Sequence, residues 1–220
     1  MKRLTITITI ISAFMLSALT VFGQDNITSF SAYWKDKASL FKILPNPKNE
    51  ICFLGDSITD GCEWAELTGK SNATNRGIGG DTAWGIIARI DEITQGKPSK
   101  VFLMIGTNDL SRGKTPTEVS DKIDEIIKTI KKQSPQTVIY LQSTFPVIDG
   151  KVKAYENKNI NPLNIELEKI AKIEKVTWIE IASSLKDKNG QLKSELTNDG
   201  LHLNGAGYQL WYSLIKKYLD

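Results

Sequence analysis

The chain has 220 residues, with 28 Lys and Arg against 25 Asp and Glu, a formal net charge of +3, two cysteines and a single histidine. This near balance excludes the clustered positive surface of a nucleic-acid-binding protein and gives no reason for strong attraction to anionic membranes. One histidine and two closely spaced cysteines do not supply a usual zinc site, and we expect no metal and no other cofactor.

The chain opens with a predicted signal peptide, residues 1–23. A basic pair precedes an uncharged, mostly apolar run over 4–22, and the small residues Val21 and Gly23 suit cleavage before Gln24. A single anchoring helix is the alternative interpretation of this run, but its several threonines disfavour it. We therefore expect an exported protein, periplasmic or secreted, with no stable membrane insertion after the segment is removed.

Residues 24–220 form one predicted domain, in which short apolar runs alternate with amphipathic segments. An outer helix is expected around 33–43, and a short strand near Ala73. Four apolar runs predict strands buried on both faces: 51–54, 101–105, 138–141 and 176–179. The alternation of strands with helices is typical of an α/β fold with an open, mostly parallel sheet covered on both sides.

Apolar residues at helical spacing predict the intervening helices. One of them opens with a capping box at Thr115–Glu118, with proline at the first helical position. The helices are marked by Ile86, Ile87, Ile90 and Ile93; by Val119, Ile123, Ile126, Ile127 and Ile130; by Leu163, Leu167, Ile170 and Ala171; and by Leu210, Trp211, Leu214, Ile215 and Tyr218.

The two cysteines, Cys52 and Cys62, allow either a disulfide or free thiols. An exported protein can oxidise such a pair. Cys52, however, falls within a predicted buried strand, where a small apolar thiol is sufficient explanation. We expect free thiols.

His202 and Asp199, in the stretch Asp199-Gly200-Leu201-His202, form the most specific local signal. Imidazole is the side chain that ordinarily accepts and returns a proton near neutral pH, and a carboxylate three residues upstream can hold one ring nitrogen while the other faces a nucleophile. The alternative is a surface loop with a capping aspartate.

Ser57, in Gly55-Asp56-Ser57-Ile58-Thr59, is the candidate nucleophile. It begins a helix or turn directly after a predicted strand, where backbone N–H groups point at developing negative charge. Serine at such a position is equally a plain helix cap. The pattern is not Gly-x-Ser-x-Gly, the sharp elbow of the α/β-hydrolases.

Two further stretches follow predicted strands. In the first, 75–81, the cluster of glycines is either a flexible turn with Asp81 as the cap of the next helix or a place where the Gly80 N–H is open to a reacting oxygen. In the second, Gly106-Thr107-Asn108-Asp109, the side chain of Asn108 either bonds its own turn or donates to an oxyanion. Because working sites in such sheets form at the carboxyl ends of strands, the shared placement of these groups favours a site.

Taken together, these four stretches resemble the GDSL-type, or SGNH, serine esterases. They occur in that family's order and span Gly55 to His202. The glycine and asparagine stretches look most like the branch that includes platelet-activating-factor acetylhydrolase catalytic subunits and bacterial carbohydrate acetylesterases. The resemblance implies a three-layer αβα sandwich, flavodoxin-like, with a mostly parallel five-stranded sheet.

The resemblance also implies roles for named residues. Ser57 would be the nucleophile, His202 the general base and Asp199 its orienting partner. The oxyanion hole would be the N–H groups of Ser57 and Gly80 with the side chain of Asn108.

On this basis the expected activity is hydrolysis of short-chain esters, in first place O-acetyl groups on exported carbohydrates. The substrate is then a small molecule or a glycan ester, and the oligomeric state is left open. Trp64 and Trp84 are candidates for stacking on a sugar ring or for packing, and the segment 145–161 is expected to border the pocket. A lysophospholipase or a short-chain lipid or thioester hydrolase is the alternative enzyme. A non-catalytic carbohydrate-binding protein on the same scaffold is a third hypothesis.

Overall fold

The computed structural model describes residues 30–220, so the predicted signal peptide lies outside the described residues. Five parallel strands form one sheet: β1 Ile51–Gly55, β2 Ala73–Gly77, β3 Lys100–Met104, β4 Val138–Gln142 and β5 Thr177–Ile179. Their order across the sheet is β2-β1-β3-β4-β5. The predicted strands are therefore confirmed, and β1 lies between β2 and β3.

Helices cover both faces of the sheet, which makes the three-layer αβα sandwich that was predicted. The larger ones are α1 Ala32–Phe41, α7 Pro116–Gln133, α8 Asn157–Ile173 and α10 Gly205–Ile215. The shorter ones are α2 Ser57–Asp60, α3 Trp64–Thr68, α4 Ala83–Ala88, α5 Ile90–Gly96, α6 Thr107–Ser111 and α9 Ala182–Leu185. Across residues 30–220, no helix has both the length and the hydropathy needed to cross a bilayer.

The amphipathic pattern of α7 places its isoleucines in the core between this helix and the sheet. Thr115 and Glu118 form the predicted capping box in both directions. The middle strands β1 and β3 are buried almost throughout, as predicted. The expectation that every strand is buried on both faces is wrong for β4 and β5. Val138, at the start of β4, is 46% exposed, and β5 is an edge strand with Thr177 open to solvent.

The isoleucines at 86, 87, 90 and 93 predict one helix, and this prediction is wrong. α4 ends at Ala88, α5 begins at Ile90, and Arg89 between them has a non-helical backbone with φ −121° and ψ 13°. The Arg89 side chain is buried, and its Nε donates to Asp81 Oδ2 at 2.9 Å. Because a buried guanidinium is costly unless its donors are paired, we attribute the break to the turn that lets this side chain reach its acceptors.

The remaining donors of Arg89 reach Glu92 in α5 and the ends of β1 and β2. Nη1 donates to Glu92 Oε1 at 2.5 Å, and Nη2 donates to the carbonyl of Arg76, at the end of β2, at 2.8 Å. A longer contact of 3.5 Å joins Nη2 to the carbonyl of Gly55, at the end of β1. This one side chain therefore ties β1 and β2 to the helices that follow.

The segment 145–161 is not a loop throughout, because α8 begins at Asn157. Its start is fixed by Asp149, whose Oδ1 accepts from the Asn157 N–H at 2.8 Å. Pro162 lies inside this helix without ending it.

Cys52 and Cys62 are both buried with free thiols, as expected. Burial raises the pKa of the Cys62 thiol to about 12, and it raises that of Cys52 as well.

Candidate active site

Ser57 is the first residue of α2 and follows directly after β1. Asp56 precedes it as the helix cap, in an extended conformation, and its Oδ1 accepts from the Ile58 N–H at 3.0 Å. Asp56 rather than Ser57 therefore caps the helix. The serine hydroxyl is not used as a cap, which was the alternative explanation for a serine here.

The side chains of Ser57, His202 and Asp199 form a continuous hydrogen-bonded chain. Ser57 Oγ lies 2.9 Å from His202 Nε2, although the two residues are separated by 145 positions. His202 Nδ1 lies 2.7 Å from Asp199 Oδ2. The nucleophile candidate and the imidazole are thus within hydrogen-bonding reach.

The hydrogen bonds of Asp199 determine which nitrogen of His202 carries the proton. Burial alone would raise the pKa of Asp199, but hydrogen bonds from the His202 ring and from the N–H groups of Leu201 and His202 hold this pKa well below its usual range. Asp199 is then a carboxylate, which only accepts hydrogen bonds. His202 Nδ1 must be the donor, and the lone pair of Nε2 is left to accept the Ser57 proton.

The turn from Asp199 to His202 rests on the segment that follows β4. Gly200 has φ +91°, and a Cβ there would lie 3.1 Å from the side chain of Lys151 and 3.2 Å from that of Ile148. The Ile148 N–H also donates to the Gly200 carbonyl at 2.8 Å. Glycine at this position allows both the left-handed backbone and the close approach that fixes the turn.

Gly80 occupies the turn after β2 in the left-handed conformation, with φ +75°. Its carbonyl accepts from Arg112 Nη2 at 2.7 Å, and its N–H has no acceptor among the described residues. The carbonyl is thus held by a guanidinium, while the N–H is available to an incoming oxygen.

Asn108 is buried in α6, the short helix that follows β3, and both ends of its amide are held. Nδ2 donates to the carbonyl of Asp81 at 2.9 Å, and Oδ1 accepts from the Tyr155 hydroxyl at 2.8 Å. Since an amide nitrogen carries two hydrogens, one N–H of Asn108 is left for another acceptor. The Asp81 carbonyl selects this orientation, because a rotated amide would place its oxygen against a group that only accepts hydrogen bonds, and the Tyr155 hydroxyl holds the Oδ1 end in place.

The sheet order explains why these groups are neighbours. Ser57, Gly80 and Asn108 follow β1, β2 and β3, and these three strands are adjacent and parallel. Their carboxyl ends therefore meet at one edge, with Ser57 in the middle.

Several residues that support this edge were not assigned a role from the sequence. Asn75 Nδ2 donates to the carbonyls of Thr59, Asp60 and Cys62, which fastens the end of α2 to β2. The Tyr208 hydroxyl donates to the carbonyl of Ile58 at 2.8 Å. Asn75 lies in the stretch 75–81, whose pattern could have indicated a role for it, whereas Tyr155 and Tyr208 meet their partners only through the fold.

Two buried carboxyls lie beside the site, and neither touches the hydrogen-bonded chain. Asp109 accepts from the Ala83 N–H at 3.0 Å, at the start of α4, next to the helix cap Thr82. Burial raises the pKa of Asp109 to about 7, against the effect of this hydrogen bond. Burial likewise raises the pKa of Asp56 to about 7.

Trp64 does not stack on a substrate, contrary to one expectation. Its ring is 1% exposed and lies 3.7 Å from the ring of Phe53, centroid to centroid, in the core. Trp84 is half-buried, with the ammonium groups of Lys114 and Lys122 over its ring at 5.2 and 5.3 Å. Trp64 is therefore a packing residue of the core. The ring of Trp84 is already in contact with two lysine side chains.

Comparisons with known proteins identify relatives of this chain. The sequence profile of the GDSL-like Lipase/Acylhydrolase family matches residues 53–210. The chain is 28% identical over 165 residues to the platelet-activating factor acetylhydrolase IB subunit alpha2 of Rattus norvegicus. This alignment covers 72% of this chain and 71% of the relative. The corresponding Homo sapiens subunit is 27% identical over the same length, with the same coverage.

Solved structures show the same arrangement. A Streptococcus pneumoniae protein, described in terms of platelet activating factor, is 31% identical with a TM-score of 0.79, over 86% of this chain and 93% of that one. A GDSL-like lipase from Bacteroides thetaiotaomicron is 23% identical with a TM-score of 0.74, over 84% of this chain and 96% of that one. The second likeness concerns the fold alone.

The hydrogen bond from Tyr155 to Asn108 predicts a catalytic effect of a single hydroxyl. In Tyr155→Phe the Asn108 amide loses the hydroxyl that holds its Oδ1 end, and we expect kcat for p-nitrophenyl acetate to fall about tenfold with KM nearly unchanged, which is less than the complete loss of an oxyanion donor. Tyr212→Phe is the matched control, because the Tyr212 hydroxyl makes no hydrogen bond to another described residue.

A double variant separates positioning from packing. If Tyr155 acts through Asn108, then Tyr155→Phe has no further effect on kcat in an Asn108→Ala background. Fully additive losses in the double variant contradict this role.

The raised pKa of Asp109 predicts that stability depends on pH. The folded protein keeps a proton on this carboxyl up to about pH 7, whereas in the unfolded chain it ionises near pH 4. Its contribution to the free energy of unfolding is therefore complete below about pH 4 and is lost as the pH rises to about 7, at up to about 1 kcal/mol per pH unit.

Asp109→Asn removes this titration. In urea unfolding between pH 5 and 8, the free energy of unfolding of the variant should increase relative to that of the wild type as the pH rises. Asp121→Asn, at an exposed position of α7, controls for the loss of a carboxyl. If the free energy of unfolding depends on pH in the same way in Asp109→Asn and in the wild type, the prediction is wrong.

Proposed function

Since the chain belongs to the GDSL-like lipase/acylhydrolase family and is a hydrolase acting on ester bonds, we propose that it removes short acyl groups, in first place acetyl, from carbohydrates through an acyl-enzyme on Ser57. The observation that carries the mechanism is the hydrogen-bonded chain from Ser57 Oγ through His202 to Asp199.

The proposed reaction has two steps. His202 Nε2 takes the proton of Ser57 as Oγ attacks the ester carbonyl, and the Asp199 carboxylate stabilises the imidazolium that forms. The imidazolium then gives its proton to the departing alcohol, which leaves an acyl-enzyme. Water attacks the acyl-enzyme with the same proton transfers and releases the acid.

The charge that develops on the carbonyl oxygen is proposed to be held by three donors: the N–H groups of Ser57 and Gly80 and the free N–H of Asn108. Their origin at three adjacent strand ends and the free N–H of Gly80 support this assignment. Because the backbone of Gly80 and the amide of Asn108 are held by Arg112 and Tyr155, these donors need little reorganisation during the reaction.

The proposed carbohydrate substrate rests on two observations. The His202 side chain is 42% exposed, so an acetyl group on a large, hydrated glycan has access to it. The apolar segment over residues 4–22, outside the described residues, supports export of the enzyme to the periplasm or the medium, where such glycans occur.

A second candidate substrate is an acetylated lipid. It is favoured by the name of the mammalian relatives, which are acetylhydrolases of platelet-activating factor. The same serine chemistry applies to both substrates, so only the alcohol part of the ester distinguishes them.

Replacement of the proposed nucleophile or base tests the mechanism. Ser57→Ala and His202→Ala should each lower kcat for p-nitrophenyl acetate by about 10⁴-fold or more, while thermal unfolding stays unchanged. A fluorophosphonate probe should label Ser57 in the wild type, as mass spectrometry of the labelled peptide will show. Ser183→Ala, at an exposed position of α9, should keep full activity and labelling. Activity above background in either active-site variant contradicts the assignment.

Released acid measured on a substrate panel tests the specificity. We expect kcat/KM to fall from acetyl to octanoyl to palmitoyl esters, and acetate to be released from acetylated xylan or acetylated sialic acid. Preference for palmitoyl refutes the short-chain proposal. Faster release of acetate from a 2-acetyl alkyl phospholipid than from every glycan supports the lipid candidate instead.

A further inference from the structure

A cleft of about 200 Å³ lies directly beside Gly80, between the start of α1 and the turn after β2. Its walls come from three parts of the chain: Phe30, Ser31 and Trp34 before and within α1, Gly80 and Thr82 after β2, and Arg112 at the end of α6. Gly80, the residue whose N–H is proposed to bind the oxyanion, is therefore one of the residues that line the cleft.

The α1 wall is fastened to the site. Trp34 Nε1 donates to Asp81 Oδ1 at 2.8 Å, in the residue that follows Gly80. Asp60, at the end of the nucleophile helix, accepts from the Tyr33 hydroxyl at 2.5 Å and from Lys37 Nζ at 2.8 Å. α1 was expected to pack on the outside of the domain, but these bonds join it to both α2 and the Gly80 turn.

An aromatic surface lines the α1 side of the cleft. The ring of Phe30 stacks on that of Trp34 with centroids 3.8 Å apart and an angle of 13° between the planes. Both rings are only partly buried. The face of an aromatic ring carries negative charge, so it attracts the weakly positive C–H groups on one side of a sugar ring.

The opposite side of the cleft is polar. Arg112 is exposed and donates one N–H to the Gly80 carbonyl. It forms no ion pair with an acid among the described residues. A guanidinium carries five N–H donors, so several are left for ligand oxygens. An alkyl chain in this cleft would cover polar groups without bonding them, which is unfavourable.

The volume also limits the occupant. Pockets for drug-sized ligands are typically about 300–1,000 Å³, so this smaller cleft fits one ring. An acetyl group needs far less space and no ring-sized wall. The alcohol part of the ester is therefore the better occupant.

From these contacts we propose that the cleft between α1 and the Gly80 turn is the subsite for the alcohol part of the ester, and that it takes a single hydroxylated sugar ring, stacked on Phe30 and hydrogen-bonded by Arg112. This inference rests on the proposed function, because it places the ester carbonyl oxygen at the Gly80 N–H.

Two acetyl esters that differ only in the alcohol test the subsite. A methyl xylopyranoside bearing one O-acetyl group fills the cleft, whereas the ethyl group of ethyl acetate is too small to reach it. We expect the ratio of kcat/KM for the sugar to that for ethyl acetate to fall about tenfold in Phe30→Ala. Leu40→Ala, an exposed apolar residue on the same helix, should leave this ratio unchanged.

A binding measurement gives a readout that does not depend on turnover. Methyl xylopyranoside, without acetyl, should bind Ser57→Ala protein in ligand-observed NMR, and the double variant with Phe30→Ala should bind it about tenfold more weakly. Circular dichroism checks that each variant is folded.

The outcomes separate this inference from the function on which it rests. If the wild type hydrolyses neither the acetylated xylopyranoside nor ethyl acetate, or if Ser57→Ala still hydrolyses them, the proposed function fails. If the wild type hydrolyses ethyl acetate but Phe30→Ala alters neither the ratio nor the binding of the sugar, only the subsite is refuted. A selective loss of octanoate over acetate esters in Phe30→Ala would make the cleft an acyl site and also overturn it.

Discussion

The buried guanidinium of Arg89 is the interaction on which the geometry of the site depends. It bonds the carbonyl of Arg76 at the end of β2, the carboxylate of Asp81 in the following turn, and Glu92 in α5, with a longer contact to Gly55 at the end of β1. Every one of these groups is buried in the α/β sandwich. Leaving buried acids without their cation typically costs about 3–5 kcal/mol, so this one side chain stabilises the strand ends and the Gly80 turn in their present positions.

Around this centre, each reacting group is held by a second residue from another part of the chain. Asn108 is oriented by Tyr155, Gly80 by Arg112, and the turn of His202 by the segment after β4. The α1 helix reaches the same edge through Trp34 and Asp81. In the proposed mechanism such a site is preorganised, because donors that are already held in place need little reorganisation when charge develops.

The strands and most helices could be predicted from the sequence because they follow from local periodicity. The capping box at Thr115 and the isoleucine stripe of α7 are patterns of neighbouring residues, and both are present. The prediction failed where a distant contact overrode the local pattern. Arg89 interrupts an otherwise regular isoleucine spacing in order to meet Asp81, and Asp149 starts α8 earlier than the apolar pattern indicates. Trp64, which lies close to Ser57 in the sequence, points into the core instead of the site.

By itself the sequence determined the chemical groups of the site and their order along the chain: a serine after the first strand, a glycine turn after the second, an asparagine after the third, and an aspartate and a histidine near the end. Only the tertiary structure decided that Ser57 and His202 lie 2.9 Å apart, that Tyr155 orients Asn108, and that α1 walls a cleft beside Gly80. The physical reason is that periodicity and capping act over a few residues, whereas these contacts join segments dozens of positions apart. Their distances depend on how the strands are ordered in the sheet and on which buried charges must be paired.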